Sequence, residues 1–149
     1  MNLFSLFLMF IEKYGFIDYL SIQTYTFNEK TLLALKSLLN EGKIKRLQII
    51  ITETAMFRLP KIYKLLKDDF AKDKRVNLVF YWVHLKVNLI KCKDNYYILD
   101  GSGNFTMNAQ IEHYNVINSR KLFTFDKKWQ DDFFFSKKLR KNHEIYKNF

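Results

Sequence analysis

The sequence predicts an α/β fold, a mixed, largely parallel β-sheet sandwiched between helices. Three observations carry this. Strand-like and helix-like apolar segments alternate from residue 16 to residue 82. The run Leu47-Gln48-Ile49-Ile50-Ile51 is a short apolar strand of the kind that a parallel sheet buries. After residue 84 the pattern changes to short strands joined by tight turns, which adds an antiparallel portion.

Taken in order, residues 2–14 read as an amphipathic or buried helix packed on its own sheet, stopped by Gly15. Its apolar start, MNLFSLFLMF, is shorter than the roughly 20 residues a membrane span needs. No basic residue precedes it and no small-residue cleavage site follows, so neither a signal peptide nor stable membrane insertion is expected. Residues 16–26 alternate and are rich in aromatic and β-branched side chains, as a strand would be. Asn28 is a candidate N-cap for a helix over Glu29–Asn40, which Gly42 ends. Residues 44–52 form the second strand. A second helix covers 54–70, its regular part beginning near Pro60.

Residues 71–75 read as a solvated basic turn, and 76–82 as a third strand leading into His84. A hairpin follows, 84–91 with 95–100, joined through Lys93, Asp94 and Asn95. Residues 105–110 are a loop and 112–118 a strand. Residues 121–139 are a helix with Phe123, Trp129, Phe133 and Phe134 on its apolar side. Within 136–149 the chain becomes a basic, exposed tail.

The length of 149 residues argues for one domain over 1–149. Hydrophobic residues make up 48%, enough for a sizeable core, and one Pro with four Gly leaves little room for linkers. The single cysteine, Cys92, excludes an intrachain disulfide and any cysteine-cluster metal site, and reads as packing. Cysteine usage fits a reducing, cytoplasmic setting. A net charge of +10 points to a polyanionic partner. The basic segments at Lys72–Arg75 and Lys137–Lys141 favour nucleic acid, DNA or RNA, over a zwitterionic lipid head group.

The chemistry-bearing stretch runs from Tyr81 to Tyr114. His84 and Lys86 are two apart, on one face of a strand by period-two geometry. Fifteen residues after Lys86 comes a glycine turn, Gly101-Ser102-Gly103-Asn104, and eight residues after Asn104 comes Glu112. A histidine serves as nucleophile or acid-base, lysine and asparagine donate to phosphate oxygens, and a carboxylate fixes a histidine tautomer. Together they suit phosphoryl chemistry done by side chains. His113, adjacent to Glu112, points to the opposite face, and His143 reads as solvated. Asn108 is either a turn residue or a substrate contact.

The pattern H-x-K, G-S-x-N and a downstream Glu resembles the phospholipase D superfamily. The closer likeness is to its small, single-motif, nuclease-like branch of phage and bacterial proteins. The likeness covers residues 14–135, through Gly15, a strand with Thr24 and Tyr25, the segment NEGKI, an apolar strand and a Pro-containing helix. It implies a mixed sheet of about six to eight strands between helices. It implies His84 as nucleophile, forming a phosphohistidine, with His84 of a second subunit as the acid in a homodimer. It implies Lys86 and Asn104 on the non-bridging oxygens, helped by Ser102 within the Gly101–Gly103 turn, and Glu112 orienting His84. The implied reaction needs no metal or other cofactor. The resemblance thus implies a metal-independent phosphodiesterase, an endonuclease on nucleic acid. One departure stands out: where the longer motif has Asp, five residues after the lysine, this chain has Lys91. A nucleic-acid-binding protein without turnover is the alternative reading. A phospholipase is a third, for which only the apolar N-terminus speaks.

Overall fold

The computed structural model describes residues 3–102, 113–136 and 141–149. At its centre are three parallel strands, β1 (Tyr19–Thr24), β2 (Leu47–Thr52) and β3 (Val76–Tyr81), buried at every residue. Beyond β1, three antiparallel strands follow: β4 (Val87–Cys92), β5 (Asn95–Gly101) and β6 (Tyr114–Asn118). On the other edge β7 (Glu144–Tyr146) runs antiparallel to β3. The seven-stranded order is β6-β5-β4-β1-β2-β3-β7, so the sheet is mixed and its parallel character belongs to the centre.

One face carries α1 (Leu3–Tyr14), α2 (Glu29–Asn40), α3 (Ala55–Arg58) and α4 (Pro60–Leu65), the last continuing into a π-helical turn over Leu66–Phe70. The other face carries α5 (Arg120–Phe135). The period of two is visible in β2. Ile49 and Ile51 join the large core with Leu20, Leu35 and Phe80, whereas Ile50 joins Val79, Tyr81 and Phe134 under α5.

The sequence signals act where expected. Asn28 accepts a 2.7 Å hydrogen bond from the Thr31 amide, a cap contributing about 1 kcal/mol. Gly15 ends α1 at φ +87°, and its amide donates to Ile11 O at 2.7 Å. Pro60 occupies the start of α4, where its missing N–H costs nothing. Cys92 is buried, and burial first, then Asp18, pushes its thiol up to about 11.

Under α5 the sheet is unusually polar. Ser21 Oγ donates to Gln130 Oε1 at 2.6 Å, Gln48 donates to Ser21 at 3.3 Å, and Gln130 Nε2 donates to Val87 O at 2.8 Å. These bonds fix α5 across the middle of the sheet.

Three expectations are corrected. Among the described residues, 141–149 are not an exposed tail. Glu144 accepts from Tyr63 Oη at 2.8 Å and from Lys67 Nζ at 2.9 Å. Asn148 Nδ2 donates to Ala71 O at 2.9 Å and Val76 O at 2.6 Å. The unpaired edge of β3 thereby receives a partner strand. His143 is 1% exposed, lying 3.0 Å from Glu53, and is not solvated. The basic turn is also less free than its composition implied. Arg75 donates to Leu39 O at 2.7 Å and binds Asp73, which also holds Lys36. Residues 137–140 lie outside the described residues.

Candidate functional site

β3 ends at Tyr81, whose carbonyl accepts from Val83 N at 3.0 Å and Glu53 N at 2.9 Å. The chain must then reach β4, which lies beyond β1, so residues 83–86 cross the carboxyl ends of β2 and β1. That end of a parallel sheet is where α/β proteins place reactive groups. His84 is exposed there, its ring 5.6 Å from that of Tyr25, the residue following β1. Lys86 is half-buried, and its Nζ lies 3.5 Å from His84 O. His84 and Lys86 therefore belong to a connection and not to one strand face, because the chain here spans the sheet instead of pairing within it.

The hairpin brings the second half of the motif to the same end. Val87, the residue after Lys86, pairs with Asp100, so Gly101 and Ser102 follow at the same end of the sheet as Lys86. Gly101 is the last residue of β5 rather than part of the turn, and it pairs with Tyr114. A Cβ on it would lie 2.3 Å from His113 O, so the close approach of β6 requires glycine. Ser102 is exposed and its amide donates to His113 O at 3.3 Å. His113 is exposed, with Nε2 3.2 Å from Asn115 Oδ1. Gly103, Asn104, Asn108 and Glu112 lie outside the described residues.

Lys91, the departure from the motif, lies opposite Tyr19 near the far end of β4. Lys91 is four strand steps from Val87, where β4 begins, about 14 Å at ~3.4 Å per residue.

Sequence reasoning missed two groups near this end. Gln23, in β1, is fully buried, and neither atom of its amide has a hydrogen-bond partner among the described residues. Polar residues at alternate positions of a buried strand, Ser21 and Gln23, were the available signal. The second is the Glu53–His143 pair, just past β2 and beside Tyr81, on which the His143 ring stacks at 4.0 Å. Ninety residues separate its members, and no local pattern announces it.

No protein-family model and no curated protein sequence matches the chain. Solved structures do. The fold is similar to NucT from Helicobacter pylori, with a TM-score of 0.63 and 18% identity over 86% of this chain and 84% of that one. It is similar to phosphatidylserine synthase from Haemophilus influenzae Rd KW20, with a TM-score of 0.54 and 18% identity over 86% of this chain. It is also similar to polyphosphate kinase from Porphyromonas gingivalis, with a TM-score of 0.54 and 11% identity over 89% of this chain. The match spans 34% and 20% of those two longer chains. The chain shares its fold with all three, as expected of a phospholipase D-like α/β fold. Among the described residues, no helix is long and apolar enough to cross a membrane.

Proposed function

We propose that this protein is a phosphodiesterase that cleaves nucleic acid without a metal ion, through His84. The observation supporting the reading most strongly is the convergence of H-x-K and G-S at one end of the sheet. His84 is exposed where the chain crosses the carboxyl ends of β1 and β2, and the pairing of Val87 with Asp100 brings the ends of β4 and β5 that adjoin Lys86 and Gly101 to the same side. The similarity in fold to NucT over most of both lengths supports this reading. The net charge of +10 favours a polyanionic substrate.

In this reading a ring nitrogen of His84 attacks phosphorus. The P–N bond forms as the bond to the leaving oxygen breaks. That oxygen takes a proton from His84 of a second subunit in a homodimer. Water then attacks phosphorus, the P–N bond breaks, and the second histidine recovers a proton from the water. Lys86, Asn104 and Ser102 would hold the non-bridging oxygens, and Glu112 would orient His84. The position of Lys91 near the far end of β4, opposite Tyr19, favours turnover over mere binding in this reading.

Cleavage of plasmid and single-stranded DNA in excess EDTA tests this, with wild type beside His84→Ala. The expected result is cleavage by wild type alone. Equal residual cleavage by both, or none by either alongside salt-sensitive binding, would overturn it in favour of a binding protein.

A further inference from the structure

At the end of the sheet opposite His84, the amino ends of β1 and β2 meet the β4–β5 turn beneath the first half of α5. They line an open cavity of about 520 Å³, a size suited to a small ligand. Five cations line it. Lys45 and Arg46 precede β2, Lys91 lies near the end of β4, and Arg120 and Lys127 stand seven residues apart on α5. Seven residues are two helical turns, so both α5 cations share a face. The floor is aromatic. Phe123 meets Tyr96 edge-on at 5.3 Å and Tyr19 at 6.3 Å.

The charges are not cancelled. The only carboxylate lining this cavity is Asp18, which accepts from Lys45 Nζ at 3.0 Å and from the Lys93 amide at 2.8 Å. Burial pushes the Asp18 carboxyl upward, but the bonds from Lys93 and Lys45, with the charges of Lys45 and Lys91, hold it below the ordinary range. Lys127 pairs with Asp131. Arg46, Lys91 and Arg120 have no carboxylate partner among the described residues. They lie over rings instead, Arg46 at 5.4 Å from Phe149, and Lys91 and Arg120 at 5.8 Å and 5.3 Å from Tyr96.

We propose that this cavity binds a nucleotide. Arg46, Lys91 and Arg120 take the phosphate, and the base packs against Tyr96. Cations alone would suit any anion, and the aromatic floor selects one that carries a planar ring. The nucleotide is either free or one unit of a nucleic-acid strand. β1 separates the cavity from His84, as Tyr19 and Thr24 are five strand residues, about 17 Å, apart. The site is therefore distinct from the cleavage centre and does not depend on the chemistry of His84.

The test is fluorescence anisotropy in EDTA, with labelled AMP and a labelled dT oligonucleotide, on wild type and on Arg46→Ala/Arg120→Ala. Both arginines are exposed, so the double variant is expected to fold, which its melting curve checks. Lys91→Gln provides an independent variant. The expected result is binding by wild type that weakens about tenfold or more in the double variant. AMP binding identifies a free nucleotide as sufficient, whereas oligonucleotide binding alone identifies the strand as the source. Absence of binding to both probes, or unchanged binding in every cavity variant, would overturn the proposal. If no protein cleaves DNA but the cavity variants lose affinity, the cleavage reading falls and this one stands. If cleavage depends on His84 but the cavity variants bind as wild type, the reverse holds.

Discussion

His143 Nε2 lies 3.0 Å from Glu53 Oε2, with both side chains buried at the carboxyl end of the central strands. The pair ties the segment preceding β7 to the turn that follows β2. Removing one member leaves the other as a buried polar group without that contact, so Glu53→Ala is expected to lose about 1–3 kcal/mol of stability. Urea unfolding measures this, and a loss under about 0.5 kcal/mol would show that the contact holds nothing.

Gly101→Ala places a methyl group 2.3 Å from His113 O. Backbone must move, at a cost of about 1–3 kcal/mol. Because Ser102 follows directly, cleavage is expected to fall further than stability does. Melting curves and cleavage rates on the same preparation check the pair of effects, and wild-type values for both would refute it.

Asp73 accepts from Arg75 Nη2 at 2.6 Å and from Lys36 Nζ at 2.8 Å. The Arg75 bond, chiefly, holds its carboxyl well below the usual range against the opposing effect of burial. A depressed folded-state pKa gives stability that is complete above the unfolded value of about 3.9 and is lost as pH falls below it. Asp73→Asn is expected to be less stable by about 1–3 kcal/mol at neutral pH. Its difference from wild type should shrink below about pH 4. A difference that stays constant with pH would assign the effect to packing.

Gln23 presents an unpaired amide inside the sheet. Gln23→Leu removes that burden at similar volume, so stability is expected to hold or rise by up to about 1 kcal/mol. If the amide serves the His84 end of the sheet, cleavage drops at the same time. Loss of stability would mean that the amide has a partner in solution.

Much of the fold was legible because its signals are local. Asn28, Gly15 and Pro60 act on their own turns, and the apolar β2 must be buried wherever it lies. The position of His84 past β3 followed from the same order of elements. What escaped depends on distant partners. The connection 83–86 reads as strand until one knows that β4 lies beyond β1. The end of the chain reads as solvated because its charges find Tyr63, Lys67 and Glu53 only in three dimensions. Lys91 reads as a flaw in a motif until β4 is seen to carry it away from His84 and into a cationic cavity.

The central claim is that His84 is the nucleophile. Acid-free quenching during turnover of a labelled oligonucleotide, followed by peptide mass mapping, tests it most directly. The account predicts a phosphoramidate adduct on the peptide containing His84, acid-labile and absent from His84→Ala. Turnover with an adduct on another residue, or full activity in His84→Ala, would contradict it.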